Sequence, residues 1–333
     1  MRPWWYNSYM KLVYFAKEAW EEDYIKGKLP GFELIAPGES GAEVLSVFVN
    51  HPVDAAEMAK YPKLKLIATR STGYDHIDIV EAKKRGVAVA TVPAYGANTV
   101  AEFAFALLLA LSRKVPEAHE QVTKTGSFSQ EGLTGFDLAG KTMGVVGCGK
   151  IGQHTVRIAN GFGMRVIVCD GHRDEGLAKE LGFEYAELPE LLGASDVVSL
   201  HVPYLPATHH LINLQNISLF KRGAYLINTA RGAVVETAAI VKALQEGILA
   251  GAGLDVLEEE GDMQDEMKLL SGPHPKEEEL KVVLENHYLI NHPRVIITPH
   301  IAFDTTEAVR RILDTTIENI IAFAAGAAKN LLA

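Results

Sequence analysis

Strand-like and helix-like patterns alternate along nearly the whole chain. Short apolar runs fall at Leu12–Ala16, Glu33–Ala36, Val44–Val49, Leu64–Thr69 and Val87–Thr91. They recur at Lys141–Val146, Arg165–Asp170, Val197–Leu200, Ala224–Asn228, Leu249–Asp255 and Val295–Thr298. Helical periodicity separates them, for example at Lys17–Lys26, Ile77–Lys84 and Ile151–Ala159. The pattern predicts an α/β fold with largely parallel sheets. Ala101–Leu111 is a nearly continuous apolar run at helical length, as expected of a helix buried in a core or at a subunit contact. Thr305 to Leu332 reads as one long helix, with apolar positions at Val309, Ile312, Leu313, Ile317, Ile320 and Ile321. Such a helix could cross back to the first domain and make that domain discontinuous. Glu258 to His292 breaks the rhythm: it is acidic and irregular, with Gly272-Pro273-His274-Pro275 and a charged helix near Lys276–Leu284. Long loops of this kind are often functional, although a solvated excursion accounts for most of it equally well.

One glycine-rich turn lies between two of these runs. Gly147, Gly149 and Gly152 form a G-x-G-x-x-G that follows the strand ending at Val146 and opens the helix through Lys150 and Ile151. The next apolar run ends in an acid, Asp170. In a dinucleotide site the first glycine allows the tight turn, the second lets the backbone approach a pyrophosphate, and the third lets helix and strand pack closely. The helix N-terminus offers N–H groups to phosphate, and Asp170 would accept from the adenosine ribose hydroxyls. A lone G-x-G-x-x-G is weak evidence, but strand, helix and acid all align here. Because the loop sits near the middle, a whole domain precedes it.

Bulk composition narrows the setting. With 333 residues the chain is long enough for two domains, and 48% hydrophobic with 22% charged residues is typical of a globular protein. A net charge of −10 disfavours non-specific binding to nucleic acid or an anionic membrane. The two cysteines, Cys148 and Cys169, read as small apolar fillers rather than a disulfide or metal site. The aromatic first nine residues are too short and polar for a signal-peptide core, and no run reaches bilayer length, so a cytoplasmic address is expected.

Three further sites follow predicted strands, where open α/β sheets place ligands. Arg231, in Asn228-Thr229-Ala230-Arg231-Gly232, is placed to clamp a carboxylate with two parallel N–H bonds. Gly253-Leu254-Asp255 leads into three glutamates, Glu258, Glu259 and Glu260, which alone would read as a solvated face. Thr298-Pro299-His300 ends the last run. Each taken alone has an ordinary structural explanation. Together they match what reduction of a 2-keto acid by a nicotinamide needs: a hydride donor, a proton donor for the carbonyl and a cation for the carboxylate. Histidine titrates in the right range for the proton, and a neighbouring carboxylate would steady the imidazolium.

On these motifs the chain resembles the D-isomer-specific 2-hydroxyacid dehydrogenase family, most of all its D-lactate dehydrogenase branch. The resemblance runs from about Met10 to the last helix. The family's arginine in a T-A-R-G turn falls on Arg231, its glutamate five residues after the G-L-D-V aspartate on Glu260, and its T-P-H histidine on His300. Glu258 and Glu259 make the glutamate the least secure of the three. The resemblance further implies a substrate-carboxylate loop at Thr72, Gly73 and Tyr74, and pocket aromatics at Tyr95 and Phe303. Cofactor contacts are implied at Gly147, Gly149, Lys150, Ile151, Gly152, Asp170, His201, Val202, Pro203, Thr208, Thr229, Ala230 and Asp255. His209 and His210 match no role. The implied architecture is two Rossmann-like domains with parallel sheets. A discontinuous substrate domain (1–98 and 304–333) surrounds an NAD-binding domain (99–303), with hinges near Asn98 and Ala302 and a closing cleft. The implied partners are a small 2-keto or 2-hydroxy acid and a second copy of the chain, the apolar Ala101–Leu111 helix fitting a homodimer contact. No metal is implied. The reading is an NAD-dependent D-lactate dehydrogenase. Alternatives are a glyoxylate/hydroxypyruvate or branched 2-keto acid reductase and, from another class, an NAD(H)-sensing corepressor-like binding protein. Asp170 favours NAD over NADP because its charge would repel a 2′-phosphate, although Arg173 lies nearby.

Overall fold

Two separate sheets, all of whose strand pairs are parallel, organise the chain. The computed structural model describes residues 10–260 and 277–332, and they divide into two units. One unit comprises 1–95 with 305–333, the other 96–304.

The first unit begins with β1 (Met10–Tyr14), α1 (Ala19–Lys28), β2 (Phe32–Ile35) and β3 (Val44–Val47). It continues through α2 (Ala55–Ala59), β4 (Leu66–Thr69), α3 (Ile79–Lys84) and β5 (Ala88–Ala90). The sheet order is β2-β1-β3-β4-β5. Every residue of β3 and β4 is buried, which is why those runs show no alternation. Asp54 and Asp78 start α2 and α3 by accepting from the backbone N–H groups of Glu57 and Glu81. The helix Thr306–Ala324 returns to this unit, and Leu313, Ile317 and Ile320 share a core with Leu12, Ile25 and Leu66. It is shorter than its periodicity predicts. Gly326, at φ +72°, follows its end, and the chain then runs antiparallel along β5, with Leu332 N–H donating to Val89. Pairing to a sheet edge thus takes residues whose pattern also suits a helix.

The second unit contains α4 (Ala97–Arg113), α5 (Val115–Thr125), β6 (Thr142–Val146), α6 (Lys150–Gly161), β7 (Arg165–Cys169) and α7 (Glu175–Leu181). After these come β8 (Glu184–Tyr185), α8 (Leu188–Ala194), β9 (Val197–Leu200), β10 (Ala224–Asn228) and α9 (Thr237–Gln245). The unit closes with β11 (Leu249–Leu254), α10 (Glu277–Ile290) and β12 (Val295–Ile297). The order β12-β11-β10-β9-β6-β7-β8 reverses direction at β6, so the glycine turn sits at a topological switch point. The apolar stretch of α4 is accounted for inside this unit: Ala104, Phe105, Leu108 and Leu111 share a core with Val145, Val156 and Val166. The charged helix predicted at Lys276–Leu284 extends to Ile290. The first nine residues and Gly272–Pro275 lie outside the described residues. Among the described residues no helix is long and apolar enough to cross a membrane, and no cluster suited to a metal ion occurs.

A buried ionic network supports the carboxyl end of β4. Arg70, next after the strand, donates through Nη1 to Glu21 Oε2 and to the Tyr14 hydroxyl, both at 2.6 Å. Tyr14 passes a 2.5 Å bond on to Glu21, and Arg70 Nη2 donates to the Phe15 carbonyl. Burial raises the Tyr14 pKa, against the opposing effect of the Arg70 charge. Arg70 and Glu21 side chains are only 3% and 4% exposed, so removing one leaves the other as an uncompensated buried charge. Arg70→Ala should therefore cost about 3–5 kcal/mol in urea unfolding, against about 1 kcal/mol for Tyr14→Phe; equal small losses would contradict a coupled pair.

Candidate active site

Parallel pairing brings every carboxyl end of the larger sheet to one edge. Reading across it, β12 leads to His300, β11 to Asp255 and Glu260, β10 to Arg231, β9 to His201, β6 to Gly147 and β7 to Asp170. Registers hold these ends level: Asn228 pairs with Leu254 and Leu200, Leu254 with Ile297, and Val146 with Leu200 and Cys169.

The glycine turn has the shape its sequence implies. Gly147 sits at φ +94°, and a Cβ there would meet the His201 carbonyl at 2.8 Å. A Cβ on Gly152 would stand 2.1 Å from the Gly147 oxygen, so helix and turn touch through hydrogen alone. A Cβ on Gly149 would meet nothing within 4 Å, and Gly149 caps α6, whose N-terminal N–H groups open onto that space. Asp170 accepts from Cys148 N–H at 2.6 Å and from His172 N–H at 2.7 Å, one through each oxygen. It therefore pins the turn while keeping one lone pair per oxygen for a ribose. Arg173 pairs at the surface with Glu187 at 2.6 Å and lies over the Tyr185 ring. Cys148 is buried, and its thiol is pushed up to about 11 mainly by that burial, with Asp170 adding to it.

Two buried polar atoms near this edge lack a protein partner: His201 Nδ1 and Thr229 Oγ1. His201 Nε2 meets Thr155 and Ser199 hydroxyls at 3.0 and 2.9 Å, and burial pushes its pKa down to about 4, so the ring stays neutral. Unpaired buried polar atoms are rare, and a polar ligand is one way to satisfy them. With the open space at Gly149, they fit a dinucleotide. Val202 packs on the turn, its Cγ1 lying 2.9 Å from where a Gly147 Cβ would stand. Thr208 closes its own loop, its hydroxyl donating to the Pro203 carbonyl at 2.6 Å.

Arg231, Glu260 and His300 are set by backbone approach. Asn228 accepts from Ala230 N–H and donates to the Arg231 carbonyl, both at 3.0 Å, which shapes the turn bearing the arginine. A Cβ on Gly232 would lie 2.0 Å from the Leu257 carbonyl carbon, so the Arg231 turn and the 257–260 segment can meet only at glycine. Asp255 is buried and its pKa is raised by burial, against its hydrogen bonds with Thr298, Ile301 and Ala302. It takes bonds from Thr298 Oγ1 (2.5 Å), Ile301 N–H (2.9 Å) and Ala302 N–H (2.8 Å), and so fixes the turn carrying His300. His300 itself sits at φ +54°, a left-handed conformation uncommon outside glycine, held by its N–H donating to the Asp255 carbonyl at 2.9 Å. Its Nδ1 lies 2.7 Å from Glu260 Oε1. A carboxylate only accepts, so the ring proton sits on Nδ1 and Nε2 is left to exchange a proton. Phe303 is buried three residues on.

In the first unit, the carboxyl end of β4 leads into Ser71–Tyr74. Thr72 Oγ1 donates to the Val92 carbonyl at 2.7 Å and Ser71 Oγ to the Gly73 carbonyl at 2.6 Å, which shapes the loop from both sides. Among the described residues, no backbone hydrogen bond uses the N–H of Thr72, Gly73 or Tyr74. The Tyr95 carbonyl accepts from Arg311 Nε at 2.5 Å.

The family model described as D-isomer specific 2-hydroxyacid dehydrogenase, NAD binding domain, matches residues 105–302. The chain belongs to the D-isomer-specific 2-hydroxyacid dehydrogenase family. The chain is 38% identical to a glyoxylate reductase of Korarchaeum cryptofilum over 94% of its length and 88% of that protein. To the D-lactate dehydrogenase of Escherichia coli it is 35% identical, over 93% of its length and 96% of that protein. The crystal structure of D-lactate dehydrogenase from Aquifex aeolicus complexed with NAD and lactic acid superposes with a TM-score of 0.84 at 38% identity. It covers 95% of this chain and 96% of that one. This protein is thus an NAD-dependent D-2-hydroxyacid dehydrogenase.

Three residues of this dehydrogenase escaped the sequence reading. The resemblance gives His210 no role and leaves Glu258 a rival to Glu260, yet the side chains of His210 and Glu258 meet at 2.6 Å, and Asn286, completely buried, donates to the Glu258 carbonyl at 2.7 Å. Histidine beside glutamate is not a pattern visible along a chain when the two stand 48 positions apart. The glycine geometry makes a test. Gly149→Ala should leave thermal stability unchanged while weakening NADH binding by about tenfold or more, because the methyl enters the space left for phosphate. Gly152→Ala should destabilise the fold itself, lowering the melting temperature by several degrees. Calorimetry and NADH fluorescence titration check both, and indistinguishable effects of the two would contradict the assignment.

Proposed function

We propose that this dehydrogenase interconverts pyruvate and D-lactate with Arg231, Glu260 and His300 as its chemical groups. The observation that carries the chemistry is the His300 Nδ1 to Glu260 Oε1 contact at 2.7 Å, formed by a histidine in left-handed backbone at the sheet's carboxyl edge. Bound NADH supplies the hydride. The guanidinium of Arg231 holds the substrate carboxylate in a two-bond fork and draws charge from the adjacent carbonyl. His300 delivers the proton from Nε2 to the carbonyl oxygen, which becomes the hydroxyl of the product, and takes it back in the reverse direction. Glu260 keeps the ring oriented and stabilises its cationic form. The N–H groups of Thr72, Gly73 and Tyr74 supply further donors for the carboxylate.

In this reading the unit spanning 96–304 holds NAD and the other unit is the substrate domain. Gly147 to Gly152 take the pyrophosphate, Asp170 the adenosine ribose, and His201, Val202, Pro203, Thr208, Thr229 and Ala230 border the cofactor. Asp255 acts through the His300 turn. Lactate over larger 2-hydroxy acids rests on the resemblance of Tyr95 and Phe303 to the pocket aromatics of the lactate branch. The D-lactate dehydrogenases of E. coli and A. aeolicus support it. A second reading is reduction of glyoxylate, favoured by the 38% identity to the K. cryptofilum glyoxylate reductase.

Initial rates with NADH across pyruvate, glyoxylate, hydroxypyruvate, 2-ketobutyrate and 2-ketoisocaproate decide between them. Pyruvate should give the highest kcat/KM, with turnover of about 1 per second or faster, and NADPH should be the poorer cofactor. His300→Ala should abolish turnover and retain NADH binding. A higher kcat/KM for glyoxylate would overturn the lactate assignment, and full activity in His300→Ala would overturn the mechanism.

A further inference from the structure

The three consecutive glutamates do different work, and Glu258 is the one whose environment is least like a solvated face. Its side chain is 10% exposed, whereas that of Glu260 is 41% exposed. One carboxylate oxygen meets His210 Nε2 at 2.6 Å. The other accepts from Thr237 N–H at 2.7 Å and from Thr237 Oγ1 at 2.6 Å. The carbonyl of the same residue accepts from Asn286 Nδ2 at 2.7 Å. Glu258 is therefore tied to the loop after β9, to the N-terminal turn of α9 and to α10. A carboxylate at a helix N-terminus also meets the positive end of the helix dipole.

These ties are not needed to seat β11, which is already paired on both sides. What they do hold is the backbone from Leu257 to Glu260, pressed against Gly232 next to Arg231. Glu259, in the same turn, adopts φ +52°, a conformation that must be held by its surroundings. Glu260 then folds back so that Oε2 lies 3.4 Å from Leu257 N–H, while Oε1 faces His300. His300 is neighboured by Asp255 as well as Glu260, and Glu258 faces His210, with Glu236 and Glu285 the other carboxylates of this cluster.

We propose that Glu258 is a positioning residue for catalysis: clamped by His210, Thr237 and Asn286, it holds the 257–260 turn so that Glu260 orients the His300 ring. The proposal rests on the assignment of Glu260 and His300 as the acid–base pair. It divides the acidic triple into an anchor tied on three sides and a more exposed catalytic partner two residues apart, and it gives His210 a role in the reaction without contact with substrate.

The test compares Glu258→Ala, Glu258→Gln and Thr237→Val in the full chain bound to NADH. One readout is the downfield proton resonance of His300 Nδ1–H, identified by its loss in His300→Ala; the other is steady-state kinetics with pyruvate. Glu258→Ala should shift or broaden that resonance and lower kcat by roughly tenfold or more, a share of the about 10²–10⁴-fold that a positioned acid contributes. NADH affinity should stay within about twofold. Glu258→Gln keeps a carbonyl acceptor for Thr237 and should recover most of kcat, and Thr237→Val should fall between the two. Should Glu258→Ala not fold, Thr237→Val carries the same comparison. An unmoved resonance with unchanged kcat in the folded variants overturns the proposal. So does a loss of kcat matched by an equal loss of NADH affinity, which marks a merely structural role. Failure of the underlying reading looks different: wild-type protein would show the resonance but oxidise no NADH with any 2-keto acid.

Discussion

Parallel strand pairing is the constraint on which the site depends. In an antiparallel sheet, successive loops leave from opposite edges. In the seven-stranded sheet here every carboxyl end leaves from one edge, so residues from 147 to 300 arrive on a single line. The strands need only be apolar and short, and the chemistry is carried by the few residues that follow each one. The central strands β6, β9, β10 and β11 are largely buried on both faces, which fixes their position, and the level of each loop is set by the register. Groups far apart in sequence meet at a hydrogen-bond distance for this reason, as Glu260 and His300 do.

Glycine fixes the remaining freedom at two points. Gly152 lets α6 start against the Gly147 carbonyl, and Gly232 lets the Arg231 turn lie against Leu257. Neither contact is an attraction of note. Each is a permission: the first lets the glycine turn close on its own helix, and the second couples the Arg231 turn to the 257–260 segment. Buried polar groups complete the edge. Asp255 accepts three hydrogen bonds from the His300 turn, and Asp170 closes the glycine turn, so two carboxylates work as backbone anchors.

Much of this was legible along the chain. The alternation of strand-like and helix-like runs announced parallel strands, and the G-x-G-x-x-G with Asp170 announced the nucleotide unit, because each depends on short-range pattern. Arg231 and His300 could be singled out as polar residues placed just after apolar runs. What pattern could not reveal was pairing between distant side chains. The acidic triple reads as surface, and only the fold shows that Glu258 is held by His210 while Glu260 reaches His300. The Arg70–Glu21–Tyr14 network was invisible for the same cause, since its members are up to 56 positions apart. Residues 325–332 were read as helix because apolar spacing alone does not distinguish a helix from a strand-like return after glycine; the partner strand decides. The apolar stretch of α4 is ambiguous along the chain between a core and a subunit contact; the fold shows that Ala104, Phe105, Leu108 and Leu111 belong to the core of its own unit.

The central claim is that three groups at one sheet edge act on one small 2-keto acid. A crystal structure of the dehydrogenase with NADH and oxamate, an unreactive pyruvate analogue, addresses it most directly. The account predicts the oxamate carboxylate in a two-bond fork on the Arg231 guanidinium and the amide oxygen at hydrogen-bond distance from His300 Nε2, with Glu260 still on Nδ1. Oxamate bound away from Arg231, or a His300 ring turned so that Nε2 faces Glu260, would contradict it.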